Sequence, residues 1–145
     1  MKKEMLDSFL SAFYEACQKN NLKLTPQRVE VYKELVKFND HPSVTKIYKR
    51  VKQKFPNISF DTVNRTLQLF VEIGVAKLVE GVQDIRRYDG VTKRHNHFHC
   101  LKCNKIIDIY DERLDKIEIP KDLYEKLSII DTKIVFNGLC EKCKK

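Results

Sequence analysis

Four cysteines constrain this chain more than any other feature. Cys100-Leu-Lys-Cys103 and Cys140-Glu-Lys-Cys143 form two Cys-x-x-Cys knuckles with 36 residues between them. A two-residue gap lets both sulfurs of a knuckle turn toward one ion, and two knuckles complete the tetrahedral thiolate shell that structural zinc prefers. The second knuckle lies almost at the end of the 145 residues. Closing that loop would therefore pin the whole C-terminal part and make metal binding a share of its folding free energy. The alternatives are two disulfides or buried free thiols.

A chain of this length has room for one ordinary domain or two small ones and is too short for most barrel or doubly wound enzymes. No apolar run approaches the roughly 20 residues that span a bilayer. The N-terminal stretch is amphipathic, interrupted by Asp7 and Glu15, and lacks a small-residue cleavage site, so no membrane partner and a cytoplasmic location are expected. The net charge is +8. Residues 41–65 hold Lys46, Lys49, Arg50, Lys52, Lys54 and Arg65 against Asp61, six cations to one anion and a local +5. Such a patch is either a phosphate-neutralising surface or a solvated helix face.

Periodicity divides the chain in two. Met5, Leu6, Phe9, Leu10, Phe13, Ala16 and Cys17 recur at helical spacing, which makes Cys17 a packing residue. Thr25-Pro26 opens a second helix running to about Phe38, and Ser43 a third that ends at Phe55-Pro56-Asn57. Ser59 or Asp61 caps a fourth, stopped by Gly74. Val75–Val79 and Ile85–Tyr88 then flank a hairpin turn at residues 80–84. Short helices followed by a hairpin predict a winged helix-turn-helix, with residues 59–73 as the helix that enters the major groove. A hinge is expected at 89–93. Beyond it, strands are expected at His95–Leu101, Lys105–Tyr110 and Ile129–Phe136, with a short helix near Pro120–Leu127. The fold class is α+β: a winged-helix domain over 1–88 and a small α/β domain over 94–145.

On a strand, His95, His97 and His99 point one way and Asn96, Phe98 and Cys100 the other. That parity separates the imidazoles from the thiolates and gives them either a metal site of their own, suited to Fe(II), Mn(II) or Zn(II), or a solvated sheet face. His99 is a possible extra ligand. His41, before a proline, reads on its own as an exposed loop residue.

Thr25-Pro26-Gln27-Arg28, His41-Pro42, Phe55-Pro56-Asn57-Ile58-Ser59 with Thr62-Val63, His95-x-His97 and the two knuckles together resemble the ferric uptake regulator (Fur) family over residues 20 to 143. The resemblance implies a homodimer of winged-helix and dimerisation domains that binds an inverted-repeat operator in double-stranded DNA when a regulatory metal is loaded. It puts the regulatory site on His41, Asp89, His95, His97 and Asp108, with Fe(2+) or Mn(2+) as the ion and Zn(2+) left to the cysteines. It puts DNA contacts on Lys23, Arg28, Ser59, Asp61, Thr62, Asn64 and Arg65. Asn64 stands where the family usually has tyrosine and could hydrogen-bond an adenine edge. Aspartates at 89 and 108 resemble the peroxide-sensing branch, whose Fe(II) chemistry would oxidise His41 and His95. A second metal site of some relatives would fall on Arg94, Asn96, Asp115 and Thr132, and these residues would dismantle it. An iron, manganese or zinc uptake regulator is the alternative. A small zinc hydrolase is remote, since neither HExxH nor HxHxDH is present, and no enzyme activity is expected.

Overall fold

The computed structural model describes residues 1–79 and 85–145, which divide into two compact units, Met1–Thr92 and Lys93–Lys145. In the first unit four helices run in order: α1 (Lys3–Lys19), α2 (Pro26–Val36), α3 (Val44–Lys52) and α4 (Phe60–Glu72). Three of them begin on a hydroxyl cap. Thr25 Oγ1 accepts from the Arg28 N–H at 3.2 Å, Ser43 Oγ from Lys46 at 3.2 Å and Ser59 Oγ from Thr62 at 3.0 Å. Each such bond satisfies an orphan helix donor and stabilises by about 1 kcal/mol. Ser59 is thus the cap of α4. Asp61 sits in its first turn, where a carboxylate favours the helix dipole, and pairs with Arg65 at 3.0 Å. Gly74, at φ +81°, ends that helix in the left-handed region that a glycine enters without steric cost.

These helices close on one hydrophobic core. Phe13, fully buried, stacks on Tyr32 at 4.2 Å and meets Phe70 edge-on at 5.2 Å. Leu35, Ile47, Val51, Val63 and Leu67 fill the space around them, and Cys17 packs in the same cluster, as its place in the helical stripe predicts.

The hairpin follows as β1 (Lys77–Val79) and β2 (Arg87–Asp89), antiparallel, with Lys77 opposite Asp89. Its strands are shorter than expected. The N–H groups of Val75 and Ala76 are spent on the Phe70 carbonyl at the end of α4, so neither joins the ladder. The turn at 80–84 lies outside the described residues. Asp89 completes β2 instead of opening a hinge, and its Oδ1 accepts the Val91 N–H at 2.8 Å. Gly90 is a matter of space, since a Cβ there would lie 2.5 Å from Val36.

The second unit holds a three-stranded sheet in the order β4-β3-β5, built from β3 (Asn96–Cys100), β4 (Ile106–Ile109) and β5 (Val135–Gly138). β4 runs antiparallel to β3, with Asp108 opposite His97, and β5 runs parallel to it, with Val135 opposite His97. Between β4 and β5 lie α5 (Glu112–Asp115), which periodicity misses, and α6 (Lys121–Lys126), which it finds. The strand expected from Ile129 begins only at Val135. Side chains take the backbone donors before it: Asp131 Oδ1 accepts the Thr132 N–H at 2.8 Å and Asn96 Oδ1 accepts that of Ile134 at 3.2 Å. Ile130 is left 96% exposed. Among the described residues the buried apolar positions of this unit are Ile106, Cys100 and Cys140, with Asn96 and His99 as buried polar neighbours.

Candidate metal centres

In the second unit the four predicted cysteines come together: one sulfur from each of Cys100, Cys103, Cys140 and Cys143 lies within 4.8 Å of the others. Cys103 Sγ and Cys140 Sγ are 3.8 Å apart. That is far from a disulfide and close to the edge of a tetrahedron with metal–sulfur bonds of about 2.3 Å. Each knuckle turns tightly, with the Cys143 N–H on the Cys140 carbonyl at 2.9 Å. Backbone N–H groups also face the sulfurs: those of Cys103 and Cys140 draw the Cys100 thiol down to about 6, and that of Cys143 lowers Cys140. Hydrogen bonding to the neighbouring Cys140 sulfur pushes Cys143 up to about 12. Four sulfurs at this spacing form a shell that a thiophilic divalent cation of tetrahedral preference would fill. The donor set fits structural zinc.

The same unit brings His95, His97 and Asp108 together, one ligand atom from each within 4.8 Å of the rest. Register explains it, because β4 sets Asp108 opposite His97 and parity turns both to one face. His97 Nε2 lies 3.3 Å and His95 Nε2 3.4 Å from Asp108 Oδ1. His95 Nδ1 sits 2.6 Å from the Lys93 carbonyl, a contact that makes Nδ1 the protonated nitrogen and leaves the Nε2 lone pair for a metal. The ring is also held from above: Tyr110 stacks on it at 5.2 Å. Neither Lys93 nor Tyr110 was singled out from sequence. Tyr110 could have been found by continuing the alternation from Asp108.

In the first unit His41 Nε2 faces Asp89 Oδ2 at 3.6 Å. Both residues are only 3% exposed, which corrects the reading of His41 as an exposed loop residue. Asp89 Oδ1 is occupied by Val91, so the oxygen turned to His41 is the remaining one. His99 is buried but outside the trio. Its cross-strand neighbours are Ile106 on β4 and Asn137 on β5.

The residues proposed for the second site of some relatives form an ion-pair network. Arg94 Nε reaches Asp115 Oδ1 at 3.1 Å, Arg94 Nη1 reaches Asp131 Oδ1 at 3.1 Å, and Asn96 Nδ2 donates to Asp115 at 3.4 Å. A guanidinium already supplies the positive charge there, so these residues do not fit a metal.

Of the residues assigned to DNA, Lys23, Arg28, Thr62 and Arg65 line one groove of the first unit with Thr25, Gln27, Thr66 and Leu69. Arg28 Nη1 donates to the Lys23 backbone carbonyl at 2.6 Å, which fixes the guanidinium against the segment before α2. Ser59 serves as a helix cap, and its hydroxyl also bonds Thr62 Oγ1 at 2.8 Å. Asn64 is half-buried on α4 and does not line that groove. The basic window is smaller than it looks in sequence. Asp40, outside it, pairs with Lys46 and Arg50, Glu30 takes Lys54 at 2.9 Å, and Asp61 takes Arg65.

A capped four-helix unit with a hairpin, followed by a sheet unit carrying four thiols and an imidazole–carboxylate trio, defines a two-unit α+β metal-binding protein. The chain belongs to the Ferric uptake regulator family, whose sequence pattern matches residues 19–137. It is 30% identical over 141 residues to the peroxide-responsive repressor PerR of Staphylococcus epidermidis, covering 97% of this chain and 94% of that protein. It is 32% identical over 131 residues to the peroxide operon regulator of Bacillus subtilis, covering 90% of each. In structure it is similar to the Helicobacter pylori ferric uptake regulator Fur, described as having three functional metal binding sites, with a TM-score of 0.79, 28% identity, and coverage of 97% and 94%. Among the described residues no helix is long and apolar enough to cross a membrane.

Proposed function

We propose that this chain is a metal-dependent transcriptional repressor that binds an inverted-repeat operator as a homodimer and responds to peroxide. The observation that carries the reading is the trio in which His95, His97 and Asp108 turn two imidazole nitrogens and one carboxylate oxygen to a common point. His41 and Asp89 supply the complementary pair. On this reading His41, Asp89, His95, His97 and Asp108 are the ligands of one regulatory ion, Fe(2+) or Mn(2+). The ligand chemistry suits such ions, with three imidazoles and two carboxylates and no thiolate. Two carboxylates also match the charge of a divalent cation.

The chain's own residues do the rest. The Lys93 carbonyl keeps His95 in the tautomer that ligates, and the Val91 N–H orients the Asp89 carboxylate so that its Oδ2 faces His41. When bound, Fe(II) would promote cleavage of the peroxide O–O bond, one oxygen being inserted into a ligand imidazole, His41 or His95, and the other leaving as water. An oxidised ring no longer offers its lone pair, so the ion is lost and operator binding with it. Cys100, Cys103, Cys140 and Cys143 hold Zn(2+) and shape the dimerisation unit without sensing. DNA is met by Lys23, Arg28, Thr62 and Arg65 in the groove, with Asp61 and Asn64 on the same helix and Ser59 at its cap.

This reading is of a regulator working in the reducing cytoplasm and not of an enzyme. The relatives named above are regulators, and the paired thiols need reduction to bind zinc. The likeness to the Helicobacter regulator supports a metal-uptake regulator as the second reading. The test is selection of operator sequences from a random double-stranded pool by the zinc-loaded chain, with and without Mn(II). Enrichment of an inverted repeat only with Mn(II) is expected. Equal binding without the metal would overturn the proposal.

A further inference from the structure

The loop that delivers His41 has an unusual backbone. Asn39 and His41 both hold positive φ, +46° and +48°. Asparagine and histidine both tolerate that region, but a residue before proline is pushed toward extended, negative φ, so at His41, which precedes Pro42, the surroundings impose it. The imposing group is the Arg87 guanidinium. Its Nε donates to the His41 carbonyl at 2.6 Å and its Nη2 to the Asp40 carbonyl at 2.9 Å, gripping two successive peptide oxygens from one plane. The Tyr88 N–H adds a bond to the Pro42 carbonyl at 3.0 Å. The Asp40 side chain is held in turn by Arg50 and Lys46 of α3, which fixes the loop from the other side.

We infer that Arg87 is a positioning residue of the regulatory metal site, holding the 39–42 loop in the left-handed conformation that turns the His41 imidazole toward Asp89. The inference rests on His41 being a ligand, as proposed above. Strand geometry strengthens it. Arg87 and Asp89 are two residues apart on β2 and so share a face. One short strand thus contributes a carboxylate ligand and the clamp that orients the other ligand. Without the clamp the loop relaxes toward negative φ and swings the ring away from Asp89. The ligand is then present but misplaced, and metal affinity falls while the fold persists.

The test uses the full-length, zinc-loaded chain as Arg87→Lys, Arg87→Ala and His41→Ala variants, titrated with Mn(II), with Co(II) as a spectroscopic probe of the ligand field. Lysine keeps the charge but cannot grip two carbonyls from one plane. Arg87→Lys should weaken Mn(II) binding roughly tenfold, the order expected for releasing one strained residue. Its Co(II) spectrum should move toward that of His41→Ala while its zinc content stays at that of the parent. If Arg87→Ala fails to fold, Arg87→Lys decides. Parental Mn(II) affinity and Co(II) spectrum in Arg87→Lys, with both lost in His41→Ala, would overturn the clamp and leave the metal reading intact. Parental affinity in His41→Ala would remove the ligand assignment and the clamp with it.

Discussion

Stripping zinc under reducing conditions should unfold residues 93–145 and leave residues 1–92 folded. The reason is where the apolar packing lies. Among the described residues the hydrophobic core cluster, from Phe13 to Tyr88, belongs wholly to the first unit, whereas the second buries only Ile106, Cys100 and Cys140 as apolar residues. An apparent binding free energy of about 10–16 kcal/mol for a structural zinc is as large as the whole stability of a typical domain. Its loss cannot be made up by one isoleucine. The size of the signal follows from the helices. α1 to α4 contain 17, 11, 9 and 13 residues, 50 in all, and α5 and α6 contain 4 and 6, 10 in all. Chelation should therefore lower the far-ultraviolet helical signal by about one-sixth. In the same sample, hydrogen exchange should erase protection of Asn96–Cys100 and Ile106–Ile109 and spare α2 and α4. Protected sheet amides in zinc-free protein would refute the reasoning, and so would a collapse of most of the helical signal.

Three further outcomes are expected. Phe13→Ala removes a fully buried ring that touches Tyr32 and Phe70, and should cost about 3–5 kcal/mol in a denaturant titration of the first unit without changing zinc content. Asp108→Ala removes the oxygen shared by His95 and His97 and should weaken Mn(II) binding at least about tenfold in a competition titration, with thermal stability near that of the parent. Zinc uptake by the metal-free chain should fail under acid. All four thiols must lose their protons as they bind, and in the unfolded metal-free unit no backbone N–H is held against a sulfur to favour the thiolate, so protons compete with the ion increasingly as pH falls. Equal zinc affinity at about pH 5 and about pH 8 would contradict this.

The helical half was legible because its signals are local. Thr25, Ser43 and Ser59 are caps and Gly74 a stop, and each needs only its neighbours in sequence to act. The cysteine knuckles and the His95-x-His97 parity are equally local, since a two-residue spacing fixes which side chains share a face. What escaped was long-range. Ile129–Ile134 reads as strand by composition, yet Asp131 and Asn96 take the backbone donors that a strand needs. Lys46, Arg50 and Lys54 read as a bare basic surface until Asp40 and Glu30 arrive from other elements. His41 looked exposed because nothing in its own segment shows that Arg87, 46 residues later, will grip its carbonyl and that Asp89 will face its ring.

The most direct test of the account is operator binding by the zinc-containing chain loaded with Fe(II) or with Mn(II), each measured before and after peroxide, with peptide mass analysis of the same samples. Both metals should support binding before treatment. Afterwards the iron form should lose the operator and gain one oxygen on His41 or His95, and the manganese form should keep it. An iron form that stays bound and unmodified, or both forms losing DNA alike, would contradict peroxide sensing through this site.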